Sequence, residues 1–316
     1  MLNAEERRQI VKVVNLYYKE GLTQMEISKR MGVSRPIISK MVQKAKDVGI
    51  VEIYIKDEST LTVELEIELE RKFGLKDVIV VAEDEYSESI MKRKIGLATA
   101  SFVQKKLTGN VNKLGISWGE TVAEFVREYP YERGHKIEVI PLVGGMGAEQ
   151  VHLHSNQLAY ELAKKMDAKC TYLYAPAFVE KAELCKRLTS MEDISYVLEK
   201  GRNVDIAVVG IGNPLQNSTM EKIGYLKPED LLELKQQEAI GDISSRFYNI
   251  DGKEIAVSLN ERVIGISLED LKNIPLVIGI CEGKHKFESV LATLNGRYID
   301  VLVVDERNAV KLLKRK

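Results

Sequence analysis

Apolar residues recur three and four positions apart through the first fifty residues, then gather into short continuous runs after Gly74. The early spacing predicts a helix from about Ala4 to Glu20, with Ile10, Val13, Val14 and Tyr17 on its inner side and Gly21 ending it. Thr23 and Glu26 form a Thr-x-x-Glu capping box, in which the hydroxyl accepts a backbone N–H and the carboxylate reaches back to the cap. Ile27 and Met31 give this second helix a buried face, Gly32 breaks it, and Val33 packs inward at the turn. Ser34 caps a third helix, with Arg35 and Pro36 in its first turn, where the missing proline N–H costs nothing. Ile38, Met41, Val42 and Ala45 form its apolar stripe, and Gly49 stops it. Val51–Ile55 alternates like a strand and predicts a small wing. Thr62 to Gly74 is a charged helix, read either as a solvated linker or as a surface that pairs with a partner subunit.

Beyond Gly74 the runs Asp77–Ala82, Lys113–Ser117, Ile137–Val143, Thr171–Tyr174, Val204–Gly210, Leu276–Ile280 and Val301–Val304 read as buried strands. Ser89–Leu107 and Asn156–Met166 read as helices between them. Continuous apolar strands alternating with helices predict a mostly parallel sheet covered on both faces, an α/β Rossmann-like domain. The predicted division is residues 1–56 for a winged helix-turn-helix, 57–74 for a linker helix and 75–316 for a ligand-binding domain that also carries oligomer contacts.

Charge sharpens this division. Residues 1–50 hold ten Lys/Arg against five Asp/Glu, whereas the remainder holds 36 against 42. A basic head on an acidic body fits DNA contact confined to the head. Opposite the core stripe, the third helix presents Ser34, Arg35, Pro36, Ser39, Lys40 and Gln43, and the second opens with Thr23 and Gln24. Arginine can bond guanine edges bidentately, while small hydroxyls, lysine and a helix N-terminus suit phosphates. The plain alternative is a three-helix module that binds protein. Cys170, Cys185 and Cys281 are too few and too scattered for a disulfide framework, and no apolar run reaches spanning length, so a reducing cytoplasm and no membrane are expected.

Ligands of parallel sheets bind at the carboxyl ends of strands, which directs attention to five loops. Gly115-Ile-Ser117-Trp-Gly119-Glu120-Thr121 follows a strand and precedes a helix, an arrangement that can cradle an anion. Its Gly-x-Ser-x-Gly spacing also matches a nucleophile elbow, but His285 is the one later histidine beyond position 154 and has no evident acid partner. Gly144 and Gly145 precede His152, His154 and Asn156, where i, i+2 histidines cannot share a helix face and metal binding is not expected. Asn156 is either a helix cap or a contact to a polar ligand. Gly210-Ile-Gly212 is a tight turn or a phosphate approach, and Gly241-Asp242 with Arg246 could read hydroxyls and a phosphate or simply pair on the surface. Lys284-His285-Lys286 sits before a helix, an unfavourable place for cations unless an anion joins them.

Six pieces in order make the chain resemble the SorC family of sugar-responsive bacterial regulators. They are Leu22-Thr-Gln-Met-Glu-Ile-Ser with Val33-Ser-Arg-Pro, Gly115-Ile-Ser-Trp-Gly-Glu-Thr, Val143-Gly-Gly, Asp205-Ile-Ala-Val-Val-Gly-Ile-Gly, Gly241-Asp-Ile-Ser-Ser-Arg-Phe, and Asn295-Gly-Arg-Tyr-Ile-Asp-Val-Leu-Val-Val-Asp-Glu. The fifth is most similar to the deoxyribonucleoside-operon type. The resemblance implies a C-terminal domain similar in fold to sugar-phosphate isomerases and glucosamine-phosphate deaminases, kept as a sensor without turnover or cofactor. It implies homo-oligomers, dimers or tetramers, whose grip on double-stranded operator DNA changes when a phosphorylated sugar binds. By position it places Ser117, Gly119, Glu120 and Thr121 in the family's phosphate loop and matches Lys286 to its late lysine. Val143 stands where relatives can carry a basic residue, and Glu282 replaces a frequent small one. An active sugar-phosphate enzyme and a sensor of unphosphorylated carbohydrate are the competing readings.

Overall fold

The computed structural model describes residues 4–51, 60–83, 87–107, 109–134, 136–145 and 150–315. Contacts divide the chain into two compact units, Met1–Asp57 and Glu58–Lys316.

Three helices, Ala4–Tyr18, Gln24–Met31 and Arg35–Asp47, build the first unit. Val13, Leu16, Ile27, Ile38 and Val42 form its core, and Ile10, Val14 and Ala45 a second layer. Leu16 takes the buried place expected of Tyr17, which is half-buried. The capping box is present: Thr23 N–H donates to Glu26 Oε2 at 2.8 Å, and Glu26 N–H to Thr23 Oγ1 at 3.3 Å. Gly32, at φ 68°, ends the second helix in a left-handed turn that Ser28 Oγ closes by donating to Val33 O at 2.6 Å. Ser34 takes the N-cap conformation, but its side chain makes no cap hydrogen bond, contrary to the sequence expectation. The expected wing lies outside the described residues from position 52 onward.

The second unit is a sheet of parallel strands: β1 (Asp77–Val81), β2 (Lys113–Ile116), β3 (Glu138–Pro141), β4 (Lys169–Cys170), β5 (Ile206–Gly212), β8 (Leu276–Ile280) and β9 (Val301–Asp305). Their order is β1-β9-β8-β5-β2-β3-β4, and an antiparallel hairpin, β6 (Gly241–Ile243) and β7 (Arg246–Tyr248), joins β5. The alternation of a pleated strand explains the two covered faces. Ala207, Val209 and Ile211 enter one core, while Ile206 and Val208 enter the other. From β2 the chain winds outward through β3 and β4, whereas β5, β8 and β9 wind the other way. The reversal opens a crevice between the carboxyl ends of β2 and β5.

The charged helix read as a solvated linker or a partner surface, Thr60–Phe73, packs within this unit. Leu65 and Leu69 enter the core, while Glu66 and Glu70, one turn apart, accept the Val80 and Val78 N–H groups at 2.8 and 3.2 Å. Alternate N–H groups of an edge strand are thereby matched by carboxylates at i and i+4, which blunts the edge. Two other expectations need correction. The run Thr171–Tyr174 is not a strand, since β4 ends at Cys170 and Asn156 takes the place of a strand neighbour for Leu173 through both its amide atoms. Residues 241–248, read as loop, form the hairpin.

The helices Glu88–Lys106 and Glu120–Glu128 meet backbone to backbone at Gly96, where an added Cβ would lie 2.6 Å from Glu124 C. Neither helix can yield by rotating a side chain. Gly96→Ala is therefore expected to destabilise the domain by about 3 kcal/mol, read as a lowered denaturant midpoint with unchanged slope.

Candidate functional sites

The third helix of the first unit buries Ile38, Val42 and Ala45 and turns Ser34, Arg35, Pro36, Ser39, Lys40 and Gln43 to solvent. Arg35, Ser39 and Gln43 follow one another at i, i+4, so they share a face. Gln43 is tied to Asp47 by a 2.9 Å hydrogen bond. Thr23 is exposed and Gln24 half-buried at the start of the preceding helix.

In the second unit the crevice holds an open cleft at the carboxyl ends of the strands, where ligands of such sheets bind. Loops after β2, β5 and β8 line it, together with the helix Glu88–Lys106 and the hairpin turn. Gly119, at φ 118°, turns the chain into the helix Glu120–Glu128 without offering a side chain to cap it. The first-turn N–H groups of Glu120, Thr121 and Val122 lack intrahelical partners, and these three residues line the cleft. Lys92 reaches Glu120 at 2.6 Å and Glu88 at 3.3 Å. Burial works against the charge of both Lys92 and Glu120, but their mutual bond outweighs it and holds each ionised. Thr219 Oγ1 adds a long 3.4 Å bond to Glu120.

Asp242 faces Lys286 from β6 and is 6% exposed. Burial pushes its carboxyl up to about 6, against the pull of Lys286 and of the Ser245 N–H it accepts. Gly212 makes room for it: a Cβ there would stand 1.8 Å from Asp242 Oδ1. Glu282, 7% exposed, is pushed up to about 7 by burial and then by Glu88, with Lys92 and Lys286 opposing. Burial and Lys286 lower His285. Asn213 ties two loops together, donating to His285 O at 2.9 Å and accepting from Leu215 N and Gln216 N.

Both raised carboxyls hold their protons more tightly folded than unfolded. Their contribution is thus complete at pH values below the ordinary carboxylate range and is lost as pH rises through about 6 and 7. Melting temperature is expected to fall between pH 5.5 and 8, and Glu282→Gln should remove up to roughly 2 kcal/mol of that loss. A melting curve as steep in the variant as in the wild type would refute this assignment.

Of the residues singled out in the sequence, Gly119, Glu120, Thr121, Gly212, Asp242 and Lys286 come together in this cleft. Gly115 lies beneath it, where a Cβ would strike Leu142 Cδ2 at 2.6 Å. Ser117 is 1% exposed and its Oγ accepts the Gly210 N–H at 3.2 Å, so its hydroxyl knits β2 to β5 and does not line the cleft. Gly144 packs on Pro176 O, and Ser155 Oγ fastens the same turn by donating to Val143 O at 2.6 Å. Gly145 and Asn156 line a separate hollow with Tyr160 and Tyr172. Glu88, Lys92, Asn213, Thr219 and Ser244 line the cleft but were not singled out. The Glu88–Lys92 spacing of i, i+4 was the one local hint, and it pointed only to a helix pair. Among the described residues, no group of three His, Cys, Asp or Glu could hold a metal ion, and no helix is long and apolar enough to cross a membrane.

Comparison with known proteins matches residues 57–314 to the family described as "Putative sugar-binding domain". The chain is 30% identical to the sorbitol operon regulator of Klebsiella pneumoniae over 99% of its own length and 100% of the relative's. It is 26% identical to the deoxyribonucleoside regulator of Bacillus subtilis, over 99% of each chain. Among solved structures, full-length SorC from Klebsiella pneumoniae superposes with a TM-score of 0.80 at 29% identity, covering 99% of this chain and 100% of that one. A DeoR family transcriptional regulator from Listeria monocytogenes gives 0.76 at 44% identity, covering 80% and 100%. With the parallel sheet and its cleft, these likenesses establish that the chain belongs to the SorC family of sugar-operon transcriptional regulators.

Proposed function

We propose that this regulator reads operator DNA with a winged helix-turn-helix spanning residues 1–56 and senses a phosphorylated sugar in the cleft of its C-terminal domain, without turning it over. The observation that carries the effector reading is the convergence of two anion-attracting features. The uncapped first turn of the helix Glu120–Glu128 and the Lys286 side chain at the start of the helix Phe287–Gly296 meet in one cleft. Thr121 and Asp242 stand beside them as partners for sugar hydroxyls. The reading without turnover is supported by Ser117, whose burial against Gly210 removes the serine of the elbow-like motif from the cleft. A fold similar to sugar-phosphate isomerases would then serve binding alone. In a homo-oligomer the effector would favour one arrangement of subunits, and only one arrangement would space the DNA-binding heads for two half-sites.

One feature favours a second reading, an unphosphorylated carbohydrate. The cleft holds four carboxyls, Glu88, Glu120, Asp242 and Glu282, against the two lysines Lys92 and Lys286. Thermal shifts with matched sugars and sugar phosphates separate the two. Stabilisation by phosphorylated members alone supports the first reading, and stabilisation by free sugars alone replaces it with the second. For the DNA half, Arg35→Ala is expected to weaken operator binding by roughly 5- to 150-fold at fixed salt while effector shifts stay unchanged. Equal affinity in an anisotropy titration would remove Arg35 from the reading face.

A further inference from the structure

Two residues that line the cleft each carry a buried side-chain atom without a hydrogen-bond partner among the described residues: Glu282 through Oε2 and Ser244 through Oγ. Their residues are 7% and 3% exposed. A buried polar atom without a partner is costly, and a fold keeps one where something else supplies the bond. Glu282 stands at the end of β8 with Glu88 and Asp305 near it, a setting that repels a second anion. Ser244 occupies the first position of the two-residue turn between β6 and β7, at φ 51°, and Ser245 follows at φ 67°. Such turns favour Asn-Gly, because both central residues are left-handed. Ser245 has a structural reason for its hydroxyl, which accepts Trp118 Nε1–H at 3.0 Å. Ser244 has none among the described residues, so a left-handed serine is retained at the wall of the cleft.

We propose that Glu282 and Ser244 are the specificity residues of this cleft, that each bonds a hydroxyl on the carbon chain of the effector, and that the effector class is therefore a fully hydroxylated sugar or sugar-alcohol phosphate and not a deoxy sugar phosphate. The proposal rests on the reading of the cleft as an effector site and deepens it. Phosphate goes to Lys286 and the first turn after Gly119, and the hydroxyls go to the carboxyl and hydroxyl that would otherwise stay unpaired. Discrimination of this kind is strong, because a missing hydroxyl on the ligand leaves a buried protein group unsatisfied, and the ratio can reach about 10⁴. A pocket that merely tolerates a hydroxyl separates such pairs by about 10² at most.

The test is calorimetric titration of the full chain with a panel of aldose, ketose and alditol phosphates, each beside its singly deoxygenated analogues, and with the corresponding free sugars. The wild type is expected to prefer at least one hydroxylated phosphate over its deoxy analogue by more than about 100-fold. Glu282→Ala should shrink that ratio to about tenfold or less, and Glu282→Gln should preserve part of it. Ser244→Gly separates recognition from structure: it relieves a left-handed serine, so melting temperature should hold or rise while the hydroxyl preference falls. Equal binding of deoxy and hydroxylated members, binding of no panel member, or a ratio unchanged in Glu282→Ala and Ser244→Gly would each overturn the proposal. The same preference seen with free sugars but not with phosphates would overturn the assigned effector class and leave Glu282 and Ser244 only as readers of hydroxyls.

Discussion

Lys286→Ala is expected to remove most of the stabilisation that a phosphorylated sugar confers on this regulator. The lysine lines the cleft from the start of the helix Phe287–Gly296, where its charge opposes the helix dipole unless an anion compensates it. A charge-assisted bond to phosphate contributes about 1.5–3 kcal/mol, so its loss weakens binding by roughly 10- to 150-fold. At an effector concentration one hundred times the wild-type Kd, ligand stabilisation of about 2.7 kcal/mol would fall to about 0.4 kcal/mol for a hundredfold weaker variant. Removing the lysine also takes its pull from Asp242 and Glu282, so the effector shift is read against the melting temperature of the effector-free variant. A full effector shift in Lys286→Ala, read by differential scanning fluorimetry, would exclude this residue from the anion site.

Gly212→Ala should be more disruptive still. The new Cβ would stand 1.8 Å from Asp242 Oδ1, on a β5 backbone fixed by β2 and β8 on one level and by β6 on the next. The carboxylate must leave, taking with it the Ser245 N–H contact and its position opposite Lys286. A destabilisation of about 3 kcal/mol and loss of effector binding are expected. Gly210→Ala supplies the control on the same strand, because its Cβ would meet Val122 Cγ2 at 3.3 Å and Trp118 O at 3.6 Å, contacts that small shifts relieve. In the double variant Gly212→Ala/Asp242→Ala the overlap is gone, so stability should recover while effector binding does not. That non-additivity distinguishes a clash at one pair from general damage to β5. Additive losses in the double variant would show that Asp242 is not what Gly212 accommodates.

The N-terminal helices were legible because their determinants are local. The Thr23–Glu26 box, Gly32 and the Ile38–Val42–Ala45 stripe each act within a turn or two. The buried strands were legible for the same reason, since a parallel sheet covered on both faces needs continuous apolar runs such as Leu276–Ile280. What escaped was set by distant contacts. The Thr171–Tyr174 run has strand composition, yet Asn156 holds Leu173 in place of a sheet neighbour. The Thr60–Phe73 helix reads equally as a solvated connector or a partner surface, because nothing in its sequence announces that Glu66 and Glu70 will meet the β1 edge. The cleft divided in the same way. Glycine and lysine signals at strand ends pointed to Gly119, Gly212 and Lys286, whereas Glu88 and Lys92 arrive from the helix that precedes β2. Ser117 matched a motif, but its hydroxyl is consumed by Gly210.

The central claim is that occupancy of the cleft by a sugar phosphate alters the grip of the N-terminal helices on DNA. Its most direct test is an anisotropy titration of the full chain against the DNA fragment upstream of its own operon, at one fixed salt concentration, with and without the sugar phosphate that gives the largest thermal shift. The account predicts that the effector changes DNA affinity by roughly 5- to 150-fold in the wild type and leaves it unchanged in Lys286→Ala. An unchanged affinity in the wild type, or an equal change in the variant, would contradict it.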